Sequence, residues 1–211
     1  VRKNVKYGVD LIKFCATGGV LSKGTEVGAV QYTLEEMIAL VDEAHAHGRK
    51  VAAHAHGTEG IKRAIRAGVD SVEHVSLIDE EGLLLATMAG TALVMDIYVD
   101  DYIIAQGELA GILPESLEKS RQVATNMREN LRRAHEAGAN IVFGTDSGVY
   151  PHGDNAIQFS YMIRFGMSPL DAIRSSTLKA AVLLDMATDV GLIAPGYFAD
   201  LIAVDGNPLL D

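Results

Sequence analysis

The apolar positions of this chain fall into two spacings. Five segments share one form, a glycine, a short apolar run and then a polar residue, at 8–13, 48–54, 68–74, 90–96 and 138–146. Runs this short, bounded by turn residues, read as buried parallel strands rather than helices. Between them the apolar residues recur every three or four positions. Thr33 and Glu36 form a capping box, Met37, Leu40, Val41 and Ala44 share one face, and Gly48 closes that helix. Further helices are predicted over 58–67, 79–89, 114–137, 155–165 and 169–184. The helix at 79 opens on three acids, which suit the positive end of a helix dipole, and the one at 114 opens on proline. Gly191, Pro195 and Gly196 break the pattern before a last predicted strand at 199–204.

Strands alternating with helices predict an α/β chain with a parallel sheet. An open doubly wound sheet and a closed barrel both fit that alternation. No glycine-rich phosphate fingerprint follows any run, and Gly18-Gly19 is a weak stand-in for one, which favours the barrel. A barrel has eight strands. Five units are present, so the others are expected ahead of Val1. The strand at 199–204 has no partner in view, and a lone strand is unstable; both ends are therefore expected to be cuts in a longer protein.

Composition narrows the function. The 211 residues are nearly half apolar with ordinary charge, enough for a sizeable core. A net charge of −10 argues against a nucleic-acid partner. Cys15 is alone, so no internal disulfide forms. No apolar run is long enough to span a membrane. The stretch 1–9, basic at Arg2, Lys3 and Lys6, lacks the apolar core of a signal peptide. A cytoplasmic location is the default expectation.

In a β/α barrel all strand C-termini face one mouth. The runs here end on Lys13, His54, His74, Asp96 and Asp146. Imidazoles, carboxylates and a lysine converging there make a metal-binding set. Each residue alone has a plainer reading: a solvated histidine, a lysine paired with a carboxylate, Asp146 as a helix N-cap. Recurrence at successive strand ends favours the metal. Lys13 ends an apolar strand, where desolvation favours the neutral amine. A neutral amine adds carbon dioxide, releases a proton and becomes an anionic carbamate able to bridge two cations. Asp146, between Gly144 and Gly148, has the chemistry to bind metal and take a proton from water. Asp96 ranks low, because no motif surrounds it. His152 lies in a loop over the mouth and reads first as a surface histidine. His45, His47 and His135 read as solvated at the opposite end, and Cys15 as a small core residue.

The stretches Leu11-Ile12-Lys13, Val51 to Gly57, Val72-Glu73-His74, Phe143 to Gly148 and Gly191 to Leu201 together resemble the amidohydrolase superfamily. The nearest branch is the imidazolonepropionase-related one, which includes prolidases and carboxypeptidases acting on Xaa-Pro or Xaa-Lys/Arg dipeptides. The resemblance implies a (β/α)8 TIM barrel of the metal-dependent hydrolase type. Residues 1–190 would hold strands four to eight, and 191–211 the start of a small β-sandwich. It implies two divalent ions, zinc in the first place, bridged by Lys13 as its carbamate. His54 and His74 would hold the second ion, and Asp146 the first while shuttling the proton. His56 and His152 become substrate-contact candidates. The family's strand-one His-x-His pair has no counterpart, since His54 and His56, which have that spacing, match strand five. The missing barrel half is expected from the same longer chain or from a second one, and a homo-oligomer is expected. The implied reaction is hydrolysis of an amide or peptide bond in a small molecule, a dipeptide or N-acyl amino acid. Cyclic-amide hydrolysis and a metal-poor scaffold or subunit are the alternatives.

Overall fold

The computed structural model describes residues 1–107 and 109–210. One sheet holds β1 (Leu11–Cys15), β2 (Lys50–Ala55), β3 (Ser71–His74), β4 (Ala92–Met95) and β5 (Ile141–Phe143). Every neighbouring pair is parallel, and the strand order follows the sequence. That order separates the two α/β expectations. A doubly wound sheet reverses direction at a switch point. A sheet that only advances, with helix between strands, follows the course of a barrel wall.

The helices are α1 (Arg2–Lys6), α2 (Leu34–Ala46), α3 (Thr58–Ala67), α4 (Glu80–Ala89), α5 (Val99–Gln106), α6 (Pro114–Glu136), α7 (Ile157–Arg164), α8 (Pro169–Ser176) and α9 (Leu178–Leu183). The capping box is formed: the Glu36 N–H donates to Thr33 Oγ1 at 3.2 Å, and the Thr33 N–H to Glu36 Oε2 at 2.8 Å. Asp79 caps α4 through the Gly82 N–H at 2.7 Å. The helix expected over 169–184 is two helices, broken where Thr177 turns to φ −114°, ψ −90°. The one expected from 155 begins as a 3₁₀ turn, Asp154–Ala156. α1 and α5 were not expected from the pattern. α5 turns Asp100 inward beside Val99 and Ile103, and that polar residue hides its apolar period.

Along β1 and β2 burial alternates with period two. Ile12, Phe14, Val51, Ala53, Val72 and Leu93 pack into the main core on one face. On β1 the opposite phase, Leu11, Lys13 and Cys15, is exposed. Helices thus cover one face of the sheet, and the other lines a hollow of about 520 Å³ that includes Lys13, Lys50, Ala52 and Glu73. Two expectations change. Lys13 is not a desolvated strand-end residue; it sits in the middle of β1 with an exposed side chain. Cys15 faces the same open side instead of the core.

The strand expected at 199–204 is absent. Those residues adopt no regular structure, and Leu201 and Ile202 are exposed. A strand needs a ladder partner for its backbone groups, and none of the described residues pairs with this segment. No helix among the described residues is long and apolar enough to cross a membrane.

Between β1 and α2 the chain folds back on itself, with Thr17 bridged to Val30. This strap touches the start of α3 backbone to backbone. A Cβ on Gly57 would lie 2.3 Å from the Gly28 carbonyl oxygen. Gly57→Ala should therefore lower the unfolding free energy by about 1–3 kcal/mol, the usual cost of overpacking. Urea denaturation of the two proteins checks this, and an unchanged midpoint would refute the close approach.

Candidate metal centre

The parallel register sets His54 beside Glu73 and Ala55 beside His74, so β2 and β3 end at one rim. The imidazoles of His54, His56 and His74 converge there. Ring centroids are 4.5 Å apart for His54 and His74, and 4.7 Å for His54 and His56. His56 and His74 stack at 4.6 Å. One donor atom from each of the three lies within 4.8 Å of the others, and the same holds for His74, Asp96 and Asp146.

The rim is held by unusual backbone. His74 and Val75 have φ of 71° and 60°. That is a strained region for a β-branched residue, and such strain persists only where surrounding structure fixes it. Here the Val75 N–H donates to Ala55 O at 3.1 Å and the Leu77 N–H to His56 O at 2.9 Å. His56 is anchored at both ends: its backbone N–H donates to Thr17 Oγ1 at 3.0 Å, and its Nδ1 lies 2.7 Å from Ser76 Oγ.

Asp96 organises His74. Its Oδ2 is 2.9 Å from His74 Nδ1. An ionised carboxylate only accepts, so Nδ1 donates, which leaves Nε2 as the ring nitrogen that can offer a lone pair once it is deprotonated. The other oxygen, Oδ1, is buried and has no hydrogen bond among the described residues.

Burial pushes His54 down to about 3, with the charges of His74 and Lys13 adding. His56 is lowered by burial and then by His74 and His54. Both rings are neutral at neutral pH and keep their lone pairs. Burial also opposes charge on His74, but the Asp96 carboxylate, by its field and its hydrogen bond, outweighs it and raises the pKa, with Asp146 adding. Neutral imidazoles, carboxylate oxygens and an orphaned buried Oδ1 within one reach fit a divalent cation of zinc type.

Asp146 follows β5 with φ 48°. Aspartate tolerates that conformation better than most residues. It is not a helix N-cap, because the next helical turn starts at Asp154 and has Gly153 as its N-cap. The residue is exposed as a whole, yet its carboxyl is partly desolvated, and that effect with the Asp96 charge raises its pKa. Lys13, His54, His56, His74 and Asp146 all line one cavity of about 350 Å³. His152 stays outside the cluster on an exposed loop, its Nδ1 3.4 Å from Ser147 Oγ. His45, His47 and His135 pair instead with Asp70, Glu43 and Asp171.

Sequence reasoning undervalued Asp96, whose signal was its place at the end of an apolar run like the others. It also missed the role of Gly19, where a Cβ would lie 2.8 Å from both Cε1 and Nε2 of His54. Asp100 carried no signal at all. It is buried on α5, bonded to Ser120 Oγ, and burial pushes its carboxyl up to about 7, with Asp96 adding.

A one-way β/α wall with imidazoles and carboxylates at its C-terminal rim is the course of part of a β/α barrel, with groups at its mouth that could hold a metal ion. The family model described as the Amidohydrolase family matches residues 1–211, and the chain belongs to that family. It is 36% identical over 214 residues to ochratoxinase of Aspergillus niger, covering 100% of this chain and 44% of that protein. It is 28% identical over 186 residues to imidazolonepropionase of Thermoanaerobacter pseudethanolicus, covering 85% of this chain and 39% of that one. The crystal structure of a Xaa-Pro dipeptidase with bound methionine in the active site superposes with a TM-score of 0.93 at 42% identity, over 100% of this chain and 52% of that one. The chain thus spans about half the length of these relatives.

Two outcomes follow from the geometry. Asp96→Asn should weaken divalent-metal binding by the full-length protein by about 10–100-fold, the usual effect of losing a histidine's outer partner. Chelator competition measures this, and unchanged affinity would leave Asp96 without that role. Asp100 has a folded pKa near 7, above its ordinary 3.8. Stability linked to it is complete below about pH 4 and is lost as pH rises through 7. Urea midpoints of Asp100→Asn should therefore fall less than the parent's between pH 4 and pH 8; parallel curves would exclude the shift.

Proposed function

We propose that the full-length protein is a metal-dependent hydrolase of a C–N bond in an amide or small peptide. The observation that carries this reading is the convergence of His54, His56 and His74 with Asp96 and Asp146 at one rim, in a chain of the amidohydrolase family. Lys13, His54, His74 and Asp146 would hold two divalent ions, zinc by preference, with Lys13 carboxylated by carbon dioxide. Lys13 lines the same cavity as His54, His74 and Asp146, within the set that its carbamate would join. Two ions bound there supply Lewis-acid polarisation of the carbonyl and a more acidic water.

The chain's own groups do the rest. The Asp146 carboxylate accepts a proton from the attacking water and returns it to the leaving amine nitrogen, a transfer favoured by a raised pKa. Asp96 holds the His74 ring in one tautomer. His56 and His152 would contact the substrate, His56 from within the cluster and His152 from the loop beside Asp146. The substrate is a dipeptide, Xaa-Pro or Xaa-Lys/Arg, or an N-acyl amino acid. The likeness to a dipeptidase holding methionine in its active site supports an amino-acid product. The likeness to imidazolonepropionase supports the second reading, hydrolysis of a cyclic amide. The open face of the sheet favours closure by further strands, so tests belong on the full-length protein.

Metal analysis of that protein should give about two equivalents of divalent ion, with hydrolysis in a panel of dipeptides and N-acyl amino acids. No metal and no hydrolysis would make it a scaffold. Asp146→Asn keeps the backbone conformation accessible, since asparagine also tolerates positive φ. It should melt near the parent temperature while kcat falls by about 10²–10⁴. A variant that melts several degrees lower yet turns over normally would make Asp146 structural.

A further inference from the structure

The turn that carries Asp96 is held by a residue that the hydrolytic reading does not use. The ladder of β4 with β3 ends at Glu73 and Val94, and that with β5 at Met95 and Phe143. Asp96 lies beyond both, yet its carboxylate meets His74 Nδ1 at 2.9 Å. Its side chain has little else to fix it, since Oδ1 has no hydrogen bond among the described residues.

Gln158 supplies the hold. It is 0% exposed, on the buried side of α7 with Met162. Its Nε2 donates to Met95 O at 2.7 Å, and its Oε1 accepts from the Tyr98 N–H at 3.0 Å. One amide thus bridges the residue before Asp96 and the second residue after it. Tyr98 is the N-cap of α5 and makes no side-chain cap bond. An N–H at that position has no partner within its helix, and the glutamine provides one. About one turn further along α7 the Tyr161 ring packs on Tyr98, with centroids 5.1 Å apart. A buried amide is costly unless it is hydrogen-bonded, and here both ends are. Methionine, of similar length, would fill the same space with no amide to desolvate.

Resting on the metal-binding reading of the rim, we propose that Gln158 is a positioning residue for His74. It fixes the 95–98 backbone so that the Asp96 carboxylate meets Nδ1 and leaves Nε2 of the ring for the ion. Its effect passes through Asp96, and it acts from a different strand–helix unit, 60 residues beyond Tyr98.

The test compares the full-length parent with Gln158→Met, Asp96→Asn and the double variant. One readout is zinc affinity by chelator competition. The other is the His74 Nδ1–H proton in the NMR spectrum of the metal-free protein, recognised by its loss in Asp96→Asn. Gln158→Met should weaken zinc binding by about tenfold, the low end of the loss expected for Asp96→Asn. The Nδ1–H proton should exchange with water at least about tenfold faster. In the Asp96→Asn background the same replacement should change zinc affinity by less than about twofold, because two residues acting through one contact are not additive. An equal loss in both backgrounds, unchanged affinity and exchange in Gln158→Met, or no such proton in the parent each overturn the assignment. If Gln158→Met does not fold, amide exchange in the parent decides. The Tyr98 N–H should exchange about a hundredfold or more slower than an unprotected amide, and free exchange would overturn the bridge. The two readings fail separately. A parent that binds no zinc, with the proton present and labile only in the Gln158 variant, would sink the metal hydrolase and keep Gln158. A parent that binds zinc and cleaves an amide, with neither readout moved by Gln158→Met, would sink Gln158 and keep the hydrolase.

Discussion

Parallel pairing in sequence order is the constraint on which the rest of this molecule depends. Each strand runs the same way as its neighbour, so every strand C-terminus arrives at one rim. The register between β2 and β3 then decides which side chains meet there. A slip of one residue would turn His54 toward the helix-covered face and bring Ala53 or Ala55 to the rim cavity. The apolar residues of the opposite phase, Val51, Ala53, Ala55 and Val72, are fully buried against the helices and forbid that slip.

What the rim does chemically comes from a division of labour among its groups. Burial keeps His54 and His56 neutral, so their nitrogens remain donors. Asp96 and Asp146 oppose burial at His74. The positive φ at His74, Val75 and Asp146 means that three backbone positions in one small region sit in conformations disfavoured for side-chain-bearing residues. Hydrogen bonds from Val75 and Leu77 to the end of β2 hold two of them in place. Strain and desolvation are thus concentrated where the donors converge, and the well-packed helix layer behind the sheet supports both.

The two faces of the sheet have unequal roles. The helix-covered face carries the core and much of the stability. The open face carries Lys13, Glu73 and a hollow leading to the rim cavity. Lys13 lines both spaces, and its charge is felt by His54, His74 and Asp146. A group at that junction is well placed to couple the interior of the sheet to the chemistry at its edge. Asp100 lines the same cavity, on a helix that begins a few residues after Asp96.

The sequence by itself determined whatever is local. Glycine-bounded apolar runs encode the strands, and the Thr33–Glu36 box and Asp79 encode helix starts, because these signals depend on neighbours within a turn or two. Repetition of one unit made the rim and the convergence of His54 with His74 legible. Tertiary structure alone decided the contacts across units. His74 finds Asp96 across 22 residues and Asp100 finds Ser120 across 20. Gly19 makes room for His54, and His56 joins the cluster through Ser76. Lys13 and Cys15 lie on the open face because strand alternation and helix cover, not the apolarity of their neighbours, set their burial. Periodicity states which face a residue takes, but only packing states what lies opposite it, and the chemistry of this rim is set by what lies opposite.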